Sequence, residues 1–187
     1  MSASAPEDAA RLAELLLACA PGPAGTRVLA IDGRSGSGKS TLAAAVSERT
    51  GAPVVSVEQL YGGWDGLRAG IERLVRDVLA PLAAGERVAV PRYDWTSAEW
   101  VEPEQLGARE ILIVEGVGAG ARDAAPYLSV LAWIEAAETV RLGRASARDR
   151  EIYEGRWEQW RAQEDDYIRS DRTPERAQIV LRAAGSG

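Results

Sequence analysis

Unbroken apolar runs alternate along this chain with stretches in which apolar residues return every three or four positions. Val28, Leu29, Ala30 and Ile31 form one run, and Ile111, Leu112, Ile113 and Val114 form another. Runs of this length suit strands covered on both faces of a parallel sheet. Similar segments at Pro53–Val57, Leu128–Glu135 and Ala177–Leu181 complete a set of five predicted strands. The helical period is clearest where Leu67, Ile71, Leu74, Val78 and Leu82 fall on one stripe. Leu42 and Val46, four apart, place another helix over Lys39–Arg49, and the pattern predicts helices over Glu7–Cys19, Thr139–Arg148 and Glu151–Ser170. Strands and helices alternate, nothing repeats, and no long polar linker intervenes. The expectation is one doubly wound α/β domain over residues 1–187.

Composition limits what such a domain can do. The 187 residues suffice for one full core. A net charge of −6 gives no overall field to attract nucleic acid or an anionic membrane, so neither is an expected partner. The apolar stretch Leu15–Ala20 is too short to span a bilayer and follows no basic start, so neither a signal peptide nor a membrane span is expected. Cys19 is the only cysteine; it is expected to be a buried small residue on a helix, in a reducing cytoplasm. With no histidine, Ser-His-Asp and Cys-His catalysis and the common zinc sites are excluded. Carboxylates, arginines, tyrosines and one lysine remain for acid–base work. That lysine, Lys39, stands inside the strongest motif of the chain.

The motif is GRSGSGKS, Gly33 to Ser40, fitting G-x-x-x-x-G-K-[ST] between a predicted strand and a predicted helix. Gly33, Gly36 and Gly38 allow backbone conformations that turn N–H groups inward, and Ser35, Ser37 and Thr41 complete the predicted cradle. These donors and the helix N-terminus suit the phosphates of ATP. Lys39 would put a mobile positive charge on the transferring phosphoryl, and the Ser40 hydroxyl would ligate Mg2+. Glu115 follows the run Ile111–Val114 at its carboxyl end, where ligands bind in open α/β sheets. It is the second predicted magnesium group, or else a carboxylate capping the next turn.

GRSGSGKST, an acid after the second strand, PRYDW, LIVEGV and RLGRASARDR occur in an order that resembles uridine kinases and their wider group, including phosphoribulokinase and bacterial pantothenate kinase. With YGGWDGL, Tyr61 to Leu67, the chain is most similar to small actinobacterial uridine kinase-like proteins. The resemblance runs from about Val28 to Leu181. It implies a P-loop NTPase fold: a three-layer α/β/α sandwich with a mostly parallel five-stranded sheet and a helical lid. It also implies that Glu58 stands where the family has its base, an aspartate. Trp64, Asp65 and Gly66, with Tyr61 before them, then fall where the family contacts its acceptor; alternatively Asp65 caps the next helix and Trp64 packs beneath it.

PRYDW resembles the PxYDF segment that lines the nucleoside pocket, which makes Arg92, Tyr93 and Asp94 candidate acceptor contacts. The other reading of this stretch is a β-hairpin whose Tyr93 and Trp95 cover the sheet edge. RLGRASARDR, Arg141 to Arg150, matches the family's lid, with Arg144 and Arg148 as the clamp on the phosphoryl group. The bland alternative is a solvated face paired with Glu138 and Glu151. Trp157, Trp160 and Tyr167 at helical spacing read as core packing, the alternative being that one ring reaches the substrate. The family's histidine and arginine after the PxYDF segment are replaced by TSAEW, so the acceptor's identity does not carry over.

The expected function is ATP-dependent transfer of the γ-phosphoryl group to a hydroxyl of a small molecule, nucleoside-like or a specialised metabolite. The alternative is a degenerate P-loop protein that binds ATP as a regulatory or switch module. A GTPase switch is disfavoured because no N-K-x-D segment exists. A homodimer is left open.

Overall fold

The computed structural model describes residues 5–107, 109–148 and 156–183. Five parallel strands form its central sheet: β1 (Arg27–Asp32), β2 (Val54–Ser56), β5 (Ile111–Glu115), β6 (Val130–Glu135) and β7 (Ile179–Arg182), in the order β2-β5-β1-β6-β7. Two antiparallel strands between β2 and β5, β3 (Val88–Asp94) and β4 (Glu99–Leu106), form a separate hairpin. The helices are α1 (Ala5–Ala18), α2 (Lys39–Thr50), α3 (Leu67–Arg73), α4 (Ala80–Ala83), α5 (Glu138–Arg148), α6 (Trp157–Asp171) and α7 (Thr173–Arg176).

The apolar runs become strands because both faces of the sheet are covered. Along β1, Val28 and Ala30 face one core, shared with α3, the hairpin and α6; Leu29 and Ile31 face the other, against α1 and α2. β5 divides in the same way, with Leu112 and Val114 on the first side and Ile113 on the second. This period of two needs apolar residues at every position, so no alternation is visible in the sequence. Parallel pairing of β1 with β5 and β6 sets Asp32 and Glu115 at one carboxyl edge. The site is built there.

Three expectations change in detail. The helix predicted over Leu67–Leu82 is interrupted by a π-helical turn, Leu74–Leu79, just before Pro81. Proline lacks an N–H, and its ring crowds the carbonyl four residues back, so the wider turn suits this place. PRYDW lies in a hairpin, the alternative reading, whose second strand β4 was not located from the sequence: EWVEPEQL is largely exposed and contains a proline. Cys19 is half-buried just beyond α1, its Sγ 3.7 Å from the Ser129 carbonyl, rather than buried on a helix. The first turn of the predicted helix Glu151–Ser170 lies outside the described residues.

Candidate active site

The loop from β1 to α2 begins at Asp32, a fully buried carboxylate. It accepts from the amides of Gly33 at 2.6 Å, Gly118 at 3.2 Å and Gly120 at 2.8 Å, and from the Tyr167 hydroxyl at 2.6 Å. Burial raises its pKa, and these donors oppose the rise. Asp32 thus ties the loop's root to the turn after β5 and to α6. Gly36 has φ 77°, and a Cβ there would meet the Arg141 carbonyl at 2.5 Å. Only glycine fits that turn against α5.

Several loop amides are spent internally. The Gly33 amide goes to Asp32, that of Ser35 to Glu164 Oε1 at 2.9 Å, and that of Ser37 to the Arg34 carbonyl at 3.1 Å. Ser37 is buried, with its Oγ unpartnered among the described residues. Of the predicted cradle, Gly33 and Ser37 lie beneath the loop, while Ser35, Gly36, Gly38, Lys39, Ser40 and Thr41 line a cavity of about 340 Å³. The amides of Gly38 through Thr41 open α2, where a helix offers N–H groups to an anion.

Lys39 is buried, and its Nζ donates to the Arg34 carbonyl at 2.9 Å. Burial holds its pKa below the ordinary lysine value, against the pull of Glu115, Glu164, Asp32 and Glu58. Ser40 Oγ donates to Glu115 Oε2 at 3.2 Å, so the two predicted magnesium groups meet at the cavity wall. One hydroxyl and one carboxylate match how Mg2+ is usually held, with phosphates and water completing its shell. The donor set therefore fits the ion.

Glu58 sits on a 3-10 turn, Val57–Leu60, directly after β2, and lines the same cavity. Four aromatic side chains line it too: Tyr61, Trp64, Trp95 and Trp160. Trp64 meets Trp95 edge-on at 5.3 Å and Trp160 at 6.3 Å, and Tyr61 lies 4.8 Å from Trp160. The Tyr61 hydroxyl donates to the Val117 carbonyl at 2.8 Å, and burial pushes its pKa well above the usual value. Tyr61 thus offers a ring rather than a proton. Trp95 is held by its Nε1, which donates to the Glu58 carbonyl at 3.2 Å.

The remaining predicted residues divide. Arg144 lines the cavity, its guanidinium 3.4 Å from the Gly36 and Ser37 carbonyls. Arg141 is buried beside it, 3.4 Å from the Ser35 carbonyl, and desolvation lowers its pKa. The side chain of Arg148 lies outside the described residues. Asp65 does not line the cavity: it is exposed, accepts from Gln159, and leaves the helix cap to Gly66. Arg92, Tyr93 and Asp94 are also outside the lining set. Arg92 is exposed, Tyr93 is wedged between Trp95 and Trp100, and Asp94 accepts from the Thr96 amide at 2.7 Å. The hairpin twists so that the next residue, Trp95, reaches the cavity instead.

Sequence reasoning missed Asp32 and Glu164, and named Trp95 and Trp160 within their segments without singling them out as site residues. Asp32 had a visible signal, a carboxylate at a strand's carboxyl end beside a glycine-rich loop. Glu164 had none, since an acid four residues after a tryptophan on a polar helix reads as surface.

No family model matches the chain. Among solved structures, it is similar to a protein from Bacillus stearothermophilus described as a possible uridine kinase: TM-score 0.69, 19% identity, covering 94% of this chain and 97% of that one. It is also similar to a candidate fructose transport system kinase from Silicibacter sp. TM1040: TM-score 0.62, 22% identity, covering 92% and 98%. At these identities the likeness establishes the fold alone, a three-layer α/β/α arrangement around a parallel five-stranded sheet.

Proposed function

We propose that this protein is an ATP-dependent kinase that phosphorylates a hydroxyl group of a small molecule, in the manner of uridine kinase-like proteins. One observation carries the reading. A glycine-rich loop with its lysine, a Ser–Glu pair suited to magnesium, a carboxylate after β2 and an aromatic wall all line one cavity. A nucleotide-binding module without transfer chemistry has no need of Glu58 and four rings in the cavity of its phosphate loop. The two solved structures described as kinases agree with this reading.

The residues divide the work. The amides of Gly36 and of Gly38 through Thr41, with the Lys39 ammonium, hold the β- and γ-phosphates. Ser40 and Glu115 would hold Mg2+, which when bound neutralises charge on the phosphate oxygens. Glu58 orients the acceptor hydroxyl and takes its proton as the oxygen–phosphorus bond forms and the bond to the ADP oxygen breaks. Because the transition state is loose, positioning matters more than base strength, so glutamate in place of aspartate is workable. Arg144 offsets charge on the transferring group, with Arg148 as its proposed partner. Tyr61, Trp64, Trp95 and Trp160 cover the acceptor's apolar face and exclude water.

The test is ADP release with ATP and magnesium across nucleosides, sugars, pantothenate and hydroxylated natural products, with the phosphorylated product identified by mass. An acceptor should stimulate turnover, and Glu58→Gln should cut kcat by about 10²–10⁴-fold with ATP binding retained. Full activity in that variant would remove Glu58 as base. Tight ATP binding with no stimulation by any acceptor would favour the regulatory alternative.

A further inference from the structure

Glu164 is the one glutamate among the described residues with no exposed surface, and its reach goes beyond its own helix. Its Oε1 accepts from the Ser35 amide at 2.9 Å and from Trp160 Nε1 at 2.9 Å. Trp160 Nε1 also lies 2.9 Å from Ser35 Oγ, so Ser35 is bracketed by α6 through both its amide and its hydroxyl. Arg34, the preceding loop residue, pairs with Glu164 Oε2 at 3.7 Å and with Asp165 at 2.6 Å. The Arg34 carbonyl in turn receives the Lys39 ammonium. The Trp160 ring faces the other way, into the aromatic wall beside Tyr61 and Trp64.

We propose that Glu164 and Trp160 are positioning residues that lock the phosphate loop and the acceptor wall into one register. The carboxylate fixes where Ser35 and Arg34 stand, and Arg34 fixes where Lys39 waits. The same carboxylate fixes the indole against which the acceptor rests. Phosphoryl transfer needs donor phosphorus and acceptor oxygen aligned within a few tenths of an ångström, and these two sites otherwise belong to different elements. A shared anchor removes the freedom between them. A carboxylate with two donors on one oxygen, away from water, is stiffer than any surface pair. The acceptor arm of this proposal rests on the kinase reading; the nucleotide arm does not.

Three variants test it: Trp160→Phe, Glu164→Ala and Glu164→Gln, each measured by steady-state kinetics with the stimulating acceptor, by calorimetric titration with Mg–ATP, and by thermal melting. Trp160→Phe keeps a smaller aromatic ring in the wall and loses the N–H, so kcat should fall about tenfold while acceptor KM stays within about threefold. Glu164→Ala should lose about tenfold or more in kcat and weaken Mg–ATP about tenfold. Glu164→Gln keeps an accepting oxygen and should stay within about threefold of wild type in both. Unchanged kcat and Mg–ATP affinity in Trp160→Phe and Glu164→Ala would overturn the proposal. So would a Gln variant as impaired as the Ala variant, or variants whose only change is a lower melting temperature. Where the wild type shows no acceptor-stimulated turnover, the kinase reading fails and the Mg–ATP titration decides alone. Tenfold weaker binding in Glu164→Ala with recovery in Glu164→Gln then upholds the loop anchor, and equal affinities overturn it.

Discussion

Replacing Tyr167 with phenylalanine removes one oxygen from a buried junction and nothing else. That oxygen donates to Asp32 Oδ2 at 2.6 Å and accepts from Thr173 Oγ1 at 2.8 Å. Asp32 and Thr173 are both fully buried, so no water replaces the lost partner without rearrangement. A hydrogen bond to a charged buried group is worth about 1.5–3 kcal/mol, and an orphaned neutral donor costs about 1 kcal/mol more. The expected destabilisation near neutral pH is therefore about 2–4 kcal/mol, or about 4–16 °C in melting temperature for a chain of this size.

The loss should depend on pH in a definite direction. Burial raises the Asp32 pKa above 3.8, so the folded protein binds more protons there than the unfolded chain. Its contribution to stability is then largest below 3.8 and is lost as pH rises through the folded pKa. Tyr167 opposes that rise by donating to the carboxylate. Without it the pKa climbs further and more stability is lost over the same climb. The destabilisation should be about 1 kcal/mol in acid, where a neutral bond is lost, and reach its full size toward neutrality. Urea unfolding of both proteins at several pH values measures this, since other groups cancel in the difference. A destabilisation below about 0.5 kcal/mol at neutral pH, or one independent of pH, would refute the account of this junction.

Lys39→Ala removes the only ammonium of the loop, and no other lysine exists to replace it; kcat should fall by about 10²–10³-fold in the coupled ADP assay, with fold retained by circular dichroism. Glu115→Gln weakens the partner of Ser40, so the Mg2+ concentration giving half-maximal turnover should rise about 10–100-fold, read by magnesium titration at fixed ATP. Gly36→Ala combines a left-handed backbone, φ 77°, with a contact of 2.5 Å to the Arg141 carbonyl. It should cost at least about 1–2 kcal/mol by denaturant unfolding and abolish measurable Mg–ATP binding by calorimetry.

How far the sequence could be read depended on whether a role is local. Lys39, Ser40 and Gly36 owe their positions to a motif of consecutive residues, so their convergence on one cavity was legible. Glu58 and Glu115 each follow a strand of a parallel sheet, and carboxyl ends of such strands share an edge. Asp65, Arg92, Tyr93 and Asp94 do not line this cavity, because a loop or hairpin residue's direction depends on twist and register. A displacement of one residue turns a strand's side chains to the other face, and Trp95 rather than its neighbours enters the cavity.

The amino-acid order by itself determined the alternation of strand and helix, the glycine-rich loop, and the chemistry available without histidine. Those follow from periods of 2 and 3.6 residues and from side-chain inventories, which need no long-range contact. Only the tertiary structure decided that Asp32, Tyr167 and Thr173 meet, that Glu164 braces Ser35 across 129 positions of chain, and that four rings share a cavity with Glu58. Burial and mutual distance are properties of packed elements. A glutamate on α6 is a surface charge until the sheet, the loop and the neighbouring helix enclose it.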